Sequence, residues 1–156
     1  MSITLTLPYP LSANRYWRPV RIGLHITIVP TKEAKAYRTQ VGFLVKAAGV
    51  RQPITGRVQI DVRLYPNRPQ DWQKRMRKDG AEWDDTVQCI DLDNANKVLL
   101  DSLKGVAIDD DRWVRKIVAE RMEPDGEARV VVTITPMPAE KPQTALFSDF
   151  AVPNEV

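Results

Sequence analysis

Cysteine and histidine are almost missing from this 156-residue sequence, which contains only Cys89 and His25. One cysteine excludes an intramolecular disulfide, and together with one histidine it excludes a zinc site made of several thiolate or imidazole ligands. Any metal chemistry must therefore use oxygen ligands. The lone cysteine also favours a reducing, cytoplasmic setting.

Long apolar runs are missing as well. No segment approaches the roughly 20 apolar residues that a bilayer-spanning helix needs, and MSITLTLPYP lacks the charged region and cleavage site of a secretory signal. We therefore expect no membrane partner. A 43% hydrophobic and 28% charged composition is typical of a globular protein. We predict one domain over residues 1–136, followed by a flexible tail over residues 137–156.

Apolar periodicity predicts an α+β fold, a small mixed β-sheet packed with two main helices. Period-two alternation predicts strands at residues 2–7 and 58–65. A further short strand is predicted at residues 24–29, and the polar and aromatic residues 12–18 predict a loop. Thr31 is a typical N-cap, and helical spacing continues to about residue 48, where Gly49 ends the first main helix. Two further β-like runs, residues 113–122 and 128–135, flank the turn sequence Pro-Asp-Gly and predict a hairpin.

Residues 67–88 show no apolar period and predict an extended, basic surface loop. Its tryptophans, Trp72 and Trp83, are suited either to stacking on an unpaired base or to attaching the loop to the body. Basic residues in this loop and near the N-terminus are candidates for binding DNA backbone, namely Asn14, Arg15, Arg18, Lys74, Arg75, Arg77 and Lys78. Asn14 joins this set as a polar neighbour. Net charge alone, at +3, also fits an ordinary solvated surface.

Acidic residues concentrate in residues 90–114, a stretch that also contains Lys97. The aspartates are Asp91, Asp93, Asp101, Asp109, Asp110 and Asp111. Carboxylates this close repel one another unless a cation lies among them. The cation is either a bound divalent metal ion or a set of lysines that pair loosely with the carboxylates in solvent.

A helix that begins near Asp93 places Asp93, Lys97 and Asp101 on one polar face, turned away from its leucines. Asp91 precedes this helix in an extended segment, and a glycine after the helix allows Asp110 and Asp111 to return beside it. Carboxylates suit Mg²⁺ or Mn²⁺, which promote phosphodiester hydrolysis. The same pattern fits a plain helix start with Asp93 as N-cap, and the residues alone leave both interpretations open.

The sequence resembles the RusA family of Holliday junction resolvases, which are common in prophages and bacteriophages. The resemblance lies in LPYPLSANRYWR, in AYR, and in DLDNANKVLLDSL followed by IDDDRWV. It implies a small α+β subunit that acts as a homodimer. Each subunit would carry a magnesium-dependent site that nicks one of two opposed strands of a four-way DNA junction.

The resemblance also implies roles for individual residues. Asp91 and Asp93 match the first two catalytic and metal-binding aspartates, and Lys97 matches the essential lysine. Asp111 matches the third aspartate, with Asp110 as the alternative. Asn94 and Asp101 match supporting positions of the motif.

We therefore predict a Mg²⁺-dependent endonuclease, with Mn²⁺ as a substitute, that resolves four-way junctions by paired symmetric nicking. Its partners would be branched DNA and a second copy of the chain. Two alternatives are a nuclease for other branched DNA and a DNA-binding module without catalysis, in which the aspartates only cap a helix.

Overall fold

A computed structural model describes residues 1–139, so the predicted tail lies almost entirely outside the described residues. The elements, in chain order, are β1 (Ile3–Pro8), α1 (Ala13–Tyr16), β2 (Trp17–Ile22), β3 (His25–Pro30), α2 (Lys32–Ala47), β4 (Val58–Tyr65), α3 (Trp72–Asp79), α4 (Leu92–Leu103), β5 (Val114–Arg121) and β6 (Arg129–Pro136). Short 3-10 helices follow α3 (Gly80–Thr86) and precede β5 (Asp111–Trp113). None of the helices within residues 1–139 is long and apolar enough to cross a membrane.

The main sheet has four strands in the order β1-β6-β4-β5. It is mixed, because β4 pairs antiparallel with β6 and parallel with β5. β2 and β3 form a separate antiparallel hairpin. Alternate residues of the two central strands are buried, namely Val58, Ile60, Val62, Leu64, Val130, Val132 and Ile134. The predicted α+β class and mixed sheet are confirmed.

The two long helices, α2 and α4, contact each other and share one hydrophobic core with the sheet. α2 begins as predicted, because the Thr31 hydroxyl oxygen accepts a hydrogen bond from the Ala34 N–H at 3.1 Å. It ends before Gly49, whose φ of 92° suits a glycine. α4 buries an apolar stripe made of Ala95, Val98, Leu99 and Leu103. Each fully buried leucine or valine stabilises the fold by about 1.5–3 kcal/mol, so this stripe anchors α4 in the core.

The hairpin predicted around Pro124-Asp125-Gly126 is wrong. β5 and β6 do run in opposite directions, but β4 lies between them. The connecting residues 122–128 pass the end of β4, where the Arg68 N–H donates to the Gly126 carbonyl at 2.8 Å. The turn sequence supplies a local reversal of the chain, and it does not encode which strands become neighbours.

Two segments predicted as loops contain regular structure. The residues predicted as a loop at 12–18 form α1 and the beginning of β2. The segment 67–88 contains α3 and a 3-10 helix, so it is not an extended loop. α3 buries none of its residues, and an exposed helix of this kind leaves no apolar period to detect. Trp83 is only 1% exposed, so its ring is packed inside the protein and is not available to stack on a base.

Candidate active site

Asp91 is the N-cap residue of α4, but its carboxylate does not serve as a cap. The residue is extended, with φ −64° and ψ 144°, and its side chain makes no capping hydrogen bond. Asp93 lies in the first turn of the helix and is exposed. The interpretation of Asp93 as the plain N-cap is therefore wrong, and the Asp91 carboxylate makes no capping hydrogen bond.

Tyr9 fixes the segment that leads into Asp91. Its hydroxyl oxygen accepts a hydrogen bond from the Ile90 N–H at 2.7 Å, and the hydroxyl donates to Cys89 Sγ at 3.6 Å. Burial raises the pKa of Tyr9 to about 12, so the phenol stays neutral near pH 7 and keeps the proton that it donates. No role was predicted for Tyr9, although it stands between two prolines in the LPYP motif that carries the resemblance.

A cleft of about 1010 Å³ opens beside Tyr9 and Asp91. It lies where β1 ends and β6 begins, and its lining also includes Asn94, Arg15 and Arg75. Carboxylate and amide oxygens thus share one concave surface with two guanidinium groups. Such a surface can hold an anionic ligand against the carboxylate.

The polar face of α4 is also attached to the N-terminal part of the chain. The Tyr16 hydroxyl donates a hydrogen bond to Asp101 Oδ2, and Arg38 Nε lies 3.8 Å from the same oxygen. Burial, followed by the Asp101 hydrogen bond, raises the pKa of Tyr16 above its ordinary value. Asp101 therefore connects α1 and α2 to α4, which explains why it occupies the polar stripe without lining the cleft. Lys97, on the same helix, is exposed.

Asp110 and Asp111 lie at the opposite end of α4 from Asp91. Ile108, just before them, pairs with Ile54, which precedes β4, while the start of α4 lies beside the end of β1. The 12 residues of α4 span about 18 Å at 1.5 Å per residue. After Gly105 the chain continues into β5 and does not run back along α4. Within one chain, these two carboxylates therefore do not lie beside Asp91.

The local geometry of Asp110 differs from that of Asp111. Asp110 Oδ1 accepts a hydrogen bond from the Arg112 N–H at 3.0 Å, which caps the 3-10 helix that begins at Asp111. This bond is the main reason that the pKa of Asp110 lies below its usual range. The Asp111 side chain is exposed in the first turn of that short helix. Both carboxylates retain an oxygen for a ligand, so both remain candidates.

The donor chemistry of these residues fits a hard divalent ion. Asp91 and Asp93 offer carboxylates, and Asn94 offers an amide oxygen at the cleft. Among residues 1–139, no three acidic, histidine or cysteine side chains form a group that could hold a metal ion. Mg²⁺ is commonly bound by one or two carboxylates together with water and substrate phosphates. The assignment of Asp91, Asp93, Asp110 and Asp111 as metal ligands stays a prediction.

The predicted DNA-binding residues of the N-terminal part lie on two consecutive elements, α1 and β2. Asn14 and Arg15 belong to α1, and Arg18 belongs to β2; all three are exposed. Arg15 lines the cleft, and its Nη2 lies 2.5 Å from Glu33 Oε2. An exposed pair of this kind contributes little to stability, so Arg15 can exchange Glu33 for a phosphate at small cost.

The predicted basic cluster lies on α3. Lys74, Arg77 and Lys78 are exposed, whereas Arg75 is half-buried. Arg75 Nε contacts Asp71 Oδ1 at 2.8 Å, and its Nη1 donates to the Thr86 carbonyl at 3.0 Å. Arg75 therefore attaches α3 to the following 3-10 helix as well as lining the cleft. Of the four predicted residues, only Arg75 lines the cleft, and the other three present charge beside it.

Comparison with known protein families agrees with this arrangement. The family model for the endodeoxyribonuclease RusA matches residues 8–135, from the end of β1 almost to the end of β6. No curated protein matches the chain. The family match includes Tyr9, the cleft, all of α4 and the aspartates before β5. The chain therefore belongs to the RusA family of endodeoxyribonucleases, the Holliday junction resolvases.

Proposed function

We propose that this protein resolves four-way DNA junctions by Mg²⁺-dependent hydrolysis of one phosphodiester in each of two opposed strands. Family membership supports the junction-resolving endonuclease activity. The metal dependence, the paired nicks and the aspartate site are parts of the proposal. A cytoplasmic location, expected from the lone cysteine, belongs to the same proposal.

One observation carries the proposed site. Asp91 occupies an N-cap position but its carboxylate makes no capping hydrogen bond, although a capping hydrogen bond usually stabilises a helix by about 1 kcal/mol. That carboxylate instead lines a cleft together with two arginines. A carboxylate that makes no capping hydrogen bond and lines a cleft with arginines is suited to bind an ion that arrives with a phosphate.

The chain supplies the other parts of the reaction. The arginines of the cleft and the exposed cations of α3 would hold the DNA backbone, and Asp91 and Asp93 would hold the ion. When bound, Mg²⁺ supplies an activated water and neutralises charge on the phosphate. Tyr9 holds the Ile90 backbone and therefore limits how far Asp91 can move. Lys97, exposed on α4, would lie close enough to the phosphate to stabilise the developing charge.

We infer that the working site is shared between two copies. Asp110 and Asp111 lie about one length of α4 from Asp91 in the same chain, about 18 Å. A site that includes either of them must therefore take it from a second copy. A twofold dimer would form two such sites, which matches the two opposed nicks that a four-way junction requires.

Lys97→Ala should lower the single-turnover rate of junction cleavage by about a hundredfold to a thousandfold, because a charged donor to the transition state is lost. Junction affinity should change much less, since one exposed cation contributes one of many phosphate contacts. Lys46→Ala, an exposed lysine in the last turn of α2, is the control and should leave the rate unchanged. An unaltered rate in Lys97→Ala would remove Lys97 from the mechanism.

The direct test of the function is cleavage of a synthetic four-way junction with immobile arms. We expect paired, symmetric nicks in Mg²⁺ or Mn²⁺, and none after EDTA is added. Linear duplex and a forked substrate of the same sequence should be cut far more slowly. Equal cleavage of forks and junctions would favour the nuclease for other branched DNA. Tight binding without cleavage in any divalent ion would favour the DNA-binding module.

A further inference from the structure

The hairpin formed by β2 and β3 does not pair with the main sheet. It exposes apolar side chains along its length. The exposed fractions are 60% for Ile22, 93% for Leu24, 72% for Ile26 and 62% for Ile28. Scattered exposed apolar residues are common, but four within seven residues of one hairpin are not. The hairpin therefore presents an apolar tip, defined here as Ile22, Gly23 and Leu24.

The base of the hairpin is firmly attached to the body. The Thr31 N–H donates to the Tyr16 carbonyl at 2.8 Å, and the Thr31 hydroxyl donates to the Arg15 carbonyl at 2.7 Å. Tyr16 is buried, and its ring meets Trp17 edge to face at 4.3 Å between ring centroids. Because Arg15 also lines the cleft, the hairpin starts at the cleft rim.

The charged side chains of the hairpin are all positive. Arg18 and Arg21 are exposed on β2, and neither forms an ion pair within the described residues. The sequence contains no aspartate or glutamate before Glu33. Self-association through two identical hairpins would bring arginine toward arginine with no carboxylate between them, which is unfavourable. A polyanion is the partner that this charge fits.

We propose that the apolar tip is a wedge that inserts at the branch point of a DNA junction, with Leu24 and Ile22 packed against an unstacked base pair. The inference rests on the proposed function. Proteins that bend DNA often insert leucine or isoleucine between base steps, which costs the free energy of unstacking the bases. That energy is smallest where bases are already unpaired, so a branch point accepts the wedge more readily than a continuous duplex does.

The geometry supports this placement. β2 contains six residues, so at about 3.3 Å per residue the tip stands roughly 20 Å from the cleft rim. Arg18 and Arg21 lie between the cleft and the tip and would contact the backbone on the way. Gly23, with φ 60°, allows the tight reversal that leaves Leu24 at the outermost point. The wedge would thus select the branched substrate while the cleft carries out the hydrolysis.

The test uses Leu24→Ser in the full chain, since a side chain that is 93% exposed is not needed for folding. The junction carries 2-aminopurine at the branch point, and binding is measured in Ca²⁺, in which the DNA is expected to stay uncut. With the parent protein, we expect the fluorescence to rise as the base unstacks. With Leu24→Ser, the rise should be lost and junction affinity should fall by about tenfold, while affinity for linear duplex stays the same.

Phe43→Ser is the matched control, because Phe43 is a 71% exposed apolar residue on α2, away from the hairpin. It should alter neither the fluorescence nor the affinities. A full fluorescence rise in Leu24→Ser would overturn the wedge. A halved molecular mass of Leu24→Ser without DNA would overturn it too and assign the tip to a second copy. Failure of the proposed function is a separate result, since the parent protein itself would then show no preference for junctions and no Mg²⁺-dependent nicks.

Discussion

Asp91→Asn should reduce the single-turnover rate of junction cleavage in Mg²⁺ by about a thousandfold or more, since it removes the cleft carboxylate that we propose as a metal ligand. Asparagine keeps the size and the N-cap preference of aspartate, so α4 should still begin at Leu92. Junction affinity should be equal or tighter, because a negative charge that repels phosphate is removed. The measurement is a cleavage time course with excess protein, beside a binding titration of the same junction.

Asp85→Asn is the control for this experiment. Asp85 is an exposed carboxylate in the 3-10 helix beside the cleft, and its loss changes the net charge equally. It should leave cleavage unchanged. Loss of junction binding together with cleavage in Asp91→Asn would make Asp91 a structural residue and would contradict the proposed site.

Mixing two inactive variants should restore cleavage if the site is shared between two copies. One variant is Asp91→Asn, and the other carries both Asp110→Asn and Asp111→Asn, which covers either candidate for the third ligand. In a mixed twofold dimer, one site collects all the substitutions and the other site is intact. With equal amounts and free exchange, about half of the dimers are mixed. We expect single nicks in one strand rather than paired nicks.

The negative control mixes Asp91→Asn with Asp93→Asn. These two residues belong to the same part of α4, so both sites of that mixed dimer remain defective and no activity should return. Co-purification of differently tagged copies establishes that mixed dimers form. If mixed dimers form and the first mixture stays inactive, the site is not shared between two copies.

The local features were largely predictable from the sequence. The alternation of Val58, Ile60, Val62 and Leu64 predicted β4, and Thr31 with Gly49 predicted both ends of α2. These signals depend on residues close in the chain, where backbone geometry and one buried face set the pattern. α3 was missed for the same physical reason, since a helix that buries nothing leaves no pattern.

The candidate site was predictable only in part. The cluster of aspartates and Lys97 could be found from composition and from the family resemblance. Other features could not be predicted from the sequence. Asp91 makes no capping hydrogen bond, the Ile90 N–H donates to Tyr9, and Arg15 and Arg75 line the same cleft. These features join residues that are distant in the sequence, and no local pattern records such a contact.

The sequence by itself determined five of the six strands, all but β2, together with the two main helices and the oxygen ligands available to this protein, because side-chain type and spacing act within a few residues. The tertiary structure alone decided that β4 separates β5 from β6, that α4 holds Asp91 and Asp111 apart, and that a cationic hairpin stands at the cleft rim. Those outcomes depend on which distant surfaces bury one another, and that choice is made only when the whole core packs.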